Sequence, residues 1–110
     1  MSQFTLTEED KGKTLTIHQG DQATISLKEN PTTGYRWTMD KIDNTLLALN
    51  QTSYTQSSDE GLGRGGRCLF VLDAKRPGTA HLQLKRWRAW EGDKSITERF
   101  DVTLQITPHR

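Results

Sequence analysis

Apolar residues recur at every second position in six stretches of this chain. Leu15 and Ile17 alternate with threonines, Ala23, Ile25 and Leu27 follow, and then come Tyr35, Trp37 and Met39. After an irregular middle stand Leu69 and Val71, or in the other phase Phe70 and Leu72, and then Ala80, Leu82 and Leu84. The last run is the cleanest: Phe100, Val102, Leu104 and Ile106 alternate with Asp101, Thr103 and Gln105. Successive side chains of a strand point to opposite faces, so a period of two marks strands with one wet and one dry face. The pattern predicts six strands and leaves room for one or two more. Turn-forming residues separate them: His18-Gln19-Gly20-Asp21, Asn30-Pro31, the glycines from Gly61 to Gly66, Arg76-Pro77-Gly78 and Glu91-Gly92-Asp93. Short strands punctuated in this way read as an all-β sandwich or barrel of about 7–8 strands. Asp40 to Asn50 departs from the pattern. Ile42, Leu46 and Leu49 are spaced by four and three, and Asp43-Asn44-Thr45 is a capping signal, which predicts one short helical turn between strands.

The 110 residues fit a single domain, 1–110. Fifteen threonines beside twelve leucines and five isoleucines suit half-buried pleated strands. A mean hydropathy of −0.78 alone would allow disorder, but a net charge of +1 lacks the self-repulsion of disordered chains. No apolar run approaches the ~20 residues of a membrane span. Met1-Ser2-Gln3-Phe4-Thr5 has neither the basic start nor the apolar stretch of a secretory signal. As written, the chain is expected to be cytoplasmic, or periplasmic or secreted if a leader has been removed. A single cysteine cannot close an internal disulfide, and three scattered histidines offer no zinc-ligand spacing, so no metal or cofactor is expected. Cys68 leads the apolar run to Leu72 and reads as a small buried residue.

Catalysis finds little support. Glu8-Glu9-Asp10 lies near a terminus, where a run of like charges is solvated, and His18, His81 and His109 have no nucleophile partner. His81 is out of phase with Ala80 and Leu82 and is expected to face solvent. Gly61-Leu62-Gly63-Arg64-Gly65-Gly66 satisfies the G-x-G-x-x-G pattern, but the polar Gln56-Ser57-Ser58-Asp59-Glu60 precedes it and a β-rich run rather than a helix follows, so it reads as a loop between strands. Asn50-Gln51-Thr52 matches a glycosylation acceptor by chance. Charge is uneven: Arg64 to Trp90 holds seven basic residues and one acid, and the rest holds eight basic and thirteen acidic. Lys85-Arg86-Trp87-Arg88-Ala89-Trp90 interleaves cations with aromatics, as single-strand nucleic-acid binders do. A sequence pI of 7.9 is below that of such domains. Binding of single-stranded nucleic acid, or of another protein, through this basic aromatic loop is the alternative reading.

Asn30-Pro31-Thr32-Thr33-Gly34-Tyr35-Arg36-Trp37 is the most informative stretch. Pro31 fixes its own φ and pushes Asn30 toward an extended conformation, and Gly34 can take the positive φ that a tight bend demands. Such a segment is stiff before it meets a partner, and preset loops lose less entropy on binding. It is therefore either a recognition edge or a well-made turn feeding Trp37.

These residues resemble a known family. Asn30-Pro31-Thr32-Thr33-Gly34-Tyr35, with Trp37 two further on, is similar to the N-P-T-T-G-[YF] loop of the chagasin family of cysteine-peptidase inhibitors. Gly63-Arg64-Gly65-Gly66 matches that family's second motif, G-x-G-G. Arg88-Ala89-Trp90 matches its third, R-P-[WF], with alanine in place of proline. The three stand in the family's order, and the likeness runs from about Phe4 to Ile106. The resemblance implies an immunoglobulin-like antiparallel β-sandwich whose three loops lie side by side at one end and enter the cleft of papain-like cysteine peptidases (papain, cathepsin L-like). It implies that Thr32 sits nearest the catalytic thiol, with the second and third loops flanking it. On this reading the chain is a reversible, non-covalent inhibitor, not an enzyme, and a monomer with no nucleic-acid or membrane partner. Trp90 is the expected anchor, with Trp87 as its rival, and Arg88 is expected to pair with acids on the peptidase rim or stack on an aromatic. Trp37 belongs to the core.

Overall fold

The computed structural model describes residues 2–30, 33–56 and 66–108. Within them the alternation resolves into eight strands: β1 (Gln3–Leu6), β2 (Thr14–His18), β3 (Gln22–Glu29), β4 (Arg36–Ile42), β5 (Leu47–Gln56), β6 (Gly66–Ala74), β7 (Gly78–Trp87) and β8 (Glu98–Thr107). They form two four-stranded sheets, ordered β1-β3-β6-β5 and β2-β8-β7-β4. All six expected strands are present, and the two additional ones, β1 and β5, lie at the edges of one sheet.

The dry phase of each strand meets in the middle. Ala23, Ile25 and Leu27 of β3 and Phe70 and Leu72 of β6 face Ala80, Leu82 and Leu84 of β7 and Phe100, Val102, Leu104 and Ile106 of β8, none more than 3% exposed. The phase of β6, open in the sequence, is set by Cys68, Phe70, Leu72 and Ala74 pointing inward, with Leu69 and Val71 half-buried. Each full-sized aliphatic side chain buried here contributes about 1.5–3 kcal/mol. Trp37 enters the core from β4 and donates its indole N–H to the carbonyl of Lys28 on β3 at 2.9 Å, linking the two sheets. His81 is exposed, as its phase required. Burial, and then the nearby Glu29 carboxylate, push the Cys68 thiol up to about 12, so it stays neutral.

Three details differ from the sequence reading. Asp40 to Asn50 forms no helix. Asp43 does nucleate a turn: its carboxylate accepts the Thr45 N–H at 3.2 Å, and its carbonyl accepts those of Leu46 and Leu47 at 3.1 and 2.9 Å. The turn stops there because Leu47, 1% exposed, is taken into the core as β5 begins. Second, the sheets are antiparallel except at the N-terminal strands, where β1 runs parallel to β3 and β2 parallel to β8. The chain lies along β3, turns through Glu8–Asp10, and returns along β8 in the other sheet. Third, Glu8-Glu9-Asp10 is more than a solvated run. Asp10 accepts the Thr7 N–H at 2.9 Å, and Glu8 accepts the Lys28 N–H at 2.6 Å and the Arg67 guanidinium at 2.7 Å. Among the described residues no helix is long and apolar enough to cross a membrane.

Candidate functional site at one end of the sandwich

Strand register decides where the three loops emerge. In the first sheet Glu29, the last residue of β3, lies opposite Gly66, the first of β6, and Gln56, the last of β5, lies opposite Gly66 from the other side. In the second sheet Arg36, the first residue of β4, is opposite Trp87, the last of β7, and Arg86 is opposite Glu98, the first of β8. The segments 30–35, 57–65 and 88–97 therefore all leave from and return to the same end. Of the residues the sequence singled out, Asn30, Thr33, Gly34, Tyr35, Gly66, Arg88, Ala89 and Trp90 are described, and Pro31, Thr32, Gly63, Arg64 and Gly65 lie outside the described residues.

The first loop closes on itself. The Asn30 carbonyl accepts both the Thr33 N–H at 3.1 Å and the Thr33 hydroxyl at 2.8 Å, and that hydroxyl accepts the Tyr35 N–H at 3.3 Å. Gly34 takes a φ of +83°, the left-handed region that side chains resist. The third loop consists of two 3₁₀ turns, Ala89–Glu91 and Asp93–Ser95, joined at Gly92 with φ +79°. Ser95 pins it: the hydroxyl accepts the Arg88 N–H at 3.0 Å and lies 2.7 Å from the Gly92 carbonyl.

Loops one and three touch. The Arg88 guanidinium donates through Nε and Nη2 to the Thr33 carbonyl at 3.2 and 3.0 Å, and its centre stands 4.4 Å from the centroid of the Tyr35 ring. Trp90 lies across Gly34, so close that a Cβ there would come within 2.9 Å of its Cη2. The same indole is 72% exposed, the most exposed large apolar side chain among the described residues. Isolated apolar residues on a surface are ordinary, but a tryptophan whose ring edge is seated on a glycine bend is a low-entropy contact surface. Arg88 does stack on an aromatic, but on this chain's own Tyr35, and its guanidinium N–H groups hold the two loops together.

Trp87 plays a different part. It donates its indole N–H to Thr38 at 3.2 Å on the outer face of the sheet, under Lys85, whose ammonium stands 3.6 Å from the ring centroid. Trp90, not Trp87, shares the end surface with the first loop. The run from Lys85 to Trp90 is also not a free cationic stripe. Lys85 lies 3.4 Å from Asp40 and 3.7 Å from Asp93, Arg86 lies 3.5 Å from Glu98, and Arg88 lies 3.4 Å from Glu91. Neutralised in this way, it has lost the electrostatic footprint of a phosphate-binding groove.

Two residues at the base of the loops escaped the sequence reading. Glu29, whose side chain is fully buried, accepts the Trp37 N–H at 2.7 Å and the Arg36 Nε–H at 3.1 Å, bridging the two ends of the first loop. Arg67, directly after the second segment, donates to the hydroxyl and carbonyl of Ser26 and to Glu8.

These features describe a β-sandwich that gathers the strand ends bounding three loops at one end of a packed frame. The family model described as the chagasin family peptidase inhibitor I42 matches residues 16–104. Chagasin of Trypanosoma cruzi is 32% identical over 104 residues, covering 91% of this chain and 94% of its own length. Amoebiasin-1 of Entamoeba histolytica is 29% identical over 102 residues, covering 90% and 99%. The crystal structure of the cysteine protease inhibitor EhICP2 from Entamoeba histolytica superposes with a TM-score of 0.82 at 25% identity, over 96% of this chain and 95% of that one. The chain belongs to the chagasin family of peptidase inhibitors.

Proposed function

We propose that this end of the sandwich plugs the cleft of papain-like cysteine peptidases by fit, without covalent chemistry. The reading gives Thr32 the place over the catalytic thiol, with Asn30, Pro31, Thr33, Gly34 and Tyr35 shaping that bend. Gly63, Arg64, Gly65 and Gly66 flank it on one side and Arg88, Ala89 and Trp90 on the other. The observation that carries it is the contact of the first and third loops, with Trp90 seated on Gly34 and Arg88 bonded to Thr33. A tip organised in this way loses little entropy on docking, which is where preset loops gain affinity. A bend that fills the cleft without offering a carbonyl in line with the thiolate gives no near-attack geometry, so the peptidase does not cut it. Membership of a peptidase-inhibitor family supports the reading from the outside.

Inhibition of papain by single-site variants tests the assignment of roles. Trp90→Ala is expected to raise the inhibition constant at least about tenfold, as the loss of a buried aromatic anchor does, while Trp87→Ala leaves it nearly unchanged. The reverse order would transfer the anchor to Trp87. Thr32→Arg is expected to abolish tight inhibition by clashing over the thiol, and undiminished inhibition by that variant would contradict the docking.

A further inference from the structure

We propose that Glu29 is a positioning residue of the inhibitory end, the buried carboxylate that fixes the neck of the first loop relative to the strand ends that bound the other two. The proposal rests on the reading of that end as the inhibitory surface, but its physical basis is in the free chain. Glu29 occupies the dry phase of β3, in step with Ala23, Ile25 and Leu27, where an aliphatic side chain would be expected. A carboxylate taken wholly out of water is costly unless each oxygen is engaged. Both are: Oε1 accepts the Trp37 N–H and Oε2 the Arg36 Nε–H. With the Trp37 indole on the Lys28 carbonyl, three hydrogen bonds tie residues 28–29 to 36–37 and close the first loop at its neck.

The same residue reaches the other two loops through the sheets. Its backbone is paired with Gly66, where the second segment returns. Its two partners, Arg36 and Trp37, are paired with Trp87 and Arg86, where the third loop departs. A shift at Glu29 is thus passed to the strand ends that bound the three loops, and packed sheets transmit it because their side chains have no slack. The contacts at the outer end, Arg88 on Thr33 and Trp90 on Gly34, need the first loop held at one height, and the Glu29 bridge sets that height.

Glu29→Gln tests this with little change of volume. The amide oxygen can still accept from Trp37, but its NH₂ meets the Arg36 N–H donor to donor. Two measurements are made on the folded variant. Amide hydrogen exchange in the free chain should quicken at Thr33, Gly34 and Tyr35 with core strands β7 and β8 unaffected. The inhibition constant for papain should rise about tenfold, the usual scale for losing a charge-assisted bond. The effect of Trp90→Ala should shrink in the Glu29→Gln background, because the loops no longer act as a unit. A residue that only stabilises the fold would leave the inhibition constant and the coupling unmoved as long as the chain is folded. Glu98→Gln, which removes a surface carboxylate from the same end, serves as the control for charge. Exchange at residues 33–35 and an inhibition constant both equal to the parent's would overturn the proposal. If the parent itself fails to inhibit papain, the proposed function falls, and exchange in the free chain still decides the role of Glu29. If Glu29→Gln does not fold, Arg36→Ala removes one of the two bonds from the exposed side. It should show the same changes at smaller size, and parent-like values would overturn the proposal.

Discussion

Gly34 shows how a single backbone angle serves the surface. Its φ of +83° lies where a residue with a Cβ costs about 1–2 kcal/mol, and the space a Cβ would need is filled by the Trp90 ring. Gly34→Ala is therefore expected to lower Tm by several degrees. It should also raise the inhibition constant about tenfold by lifting Trp90 off the bend, as measured by thermal unfolding and papain titration. A variant that loses stability but inhibits like the parent would separate Trp90 from the function. Ala89 offers the opposite case. Arg88 is extended, with φ −100° and ψ 109°, the conformation a residue before proline must adopt, and Ala89 opens a turn, where proline is favoured. Ala89→Pro should be accommodated, stabilise by about 0.4–1 kcal/mol and tighten inhibition at most several-fold. A loss of Tm would show that the loop needs the freedom alanine leaves it. The glycine bend was legible in the sequence because it follows from local sterics. Arg88 was legible as a stacking cation, but its partner was not, since Tyr35 comes from a loop more than fifty residues away. Glu29 could have been found: an acid in the inward phase of a strand demands a partner, and the alternation from Ala23 placed it there.

At the level of elements, the necks of the loops are held by carboxylates. Partial burial pushes the Glu8 carboxyl up, but the Lys28 N–H and the Arg67 guanidinium outweigh it and hold the group below its ordinary value of 4.5. A lowered carboxylate stabilises the fold above its unfolded value, and that contribution is lost as pH falls through the folded one. Glu8→Gln should therefore lower Tm near neutral pH, where the ion pair with Arg67 is intact, and the gap to the parent should close as the pH is taken below 4.5. A gap that is the same at pH 7 and pH 3 would mean that the charge of Glu8 is not what ties the Glu8–Asp10 turn to β3 and β6. The six strands with clean alternation were legible because each buries one full face. The other two were not, for physical reasons. β1 is only four residues long at an edge, and β5 is an edge strand whose exposed Leu49 and irregular register near Asn50 disguise its period. The spacing of Ile42, Leu46 and Leu49 that suggested a helix at Asp40 to Asn50 arises from a turn between two strands: Ile42 ends β4, Leu46 packs against the core from the turn, and Leu49 is exposed on β5.

For the whole molecule, the gathering of the loops depends on which strands pair, a non-local matter that no single segment of sequence encodes. The resemblance to the chagasin family supplied that arrangement, and the register of β3 with β6, of β4 with β7 and of β7 with β8 brings the strand ends that bound the three loops to one end of the sandwich. The frame is stiff because the two dry faces interlock around Trp37, Phe70 and Phe100, and the surface it carries is organised before any partner arrives. Inhibition by fit has a consequence that inhibition by reaction lacks: the inhibitor survives the encounter unchanged. The decisive measurement follows papain activity on a peptide substrate as this chain is added, with the mass of the chain determined after prolonged incubation. Inhibition at nanomolar concentration with the chain recovered at its full mass is the result expected. Full peptidase activity at micromolar concentrations of intact chain, or inhibition that fades as the chain is cut, would contradict it.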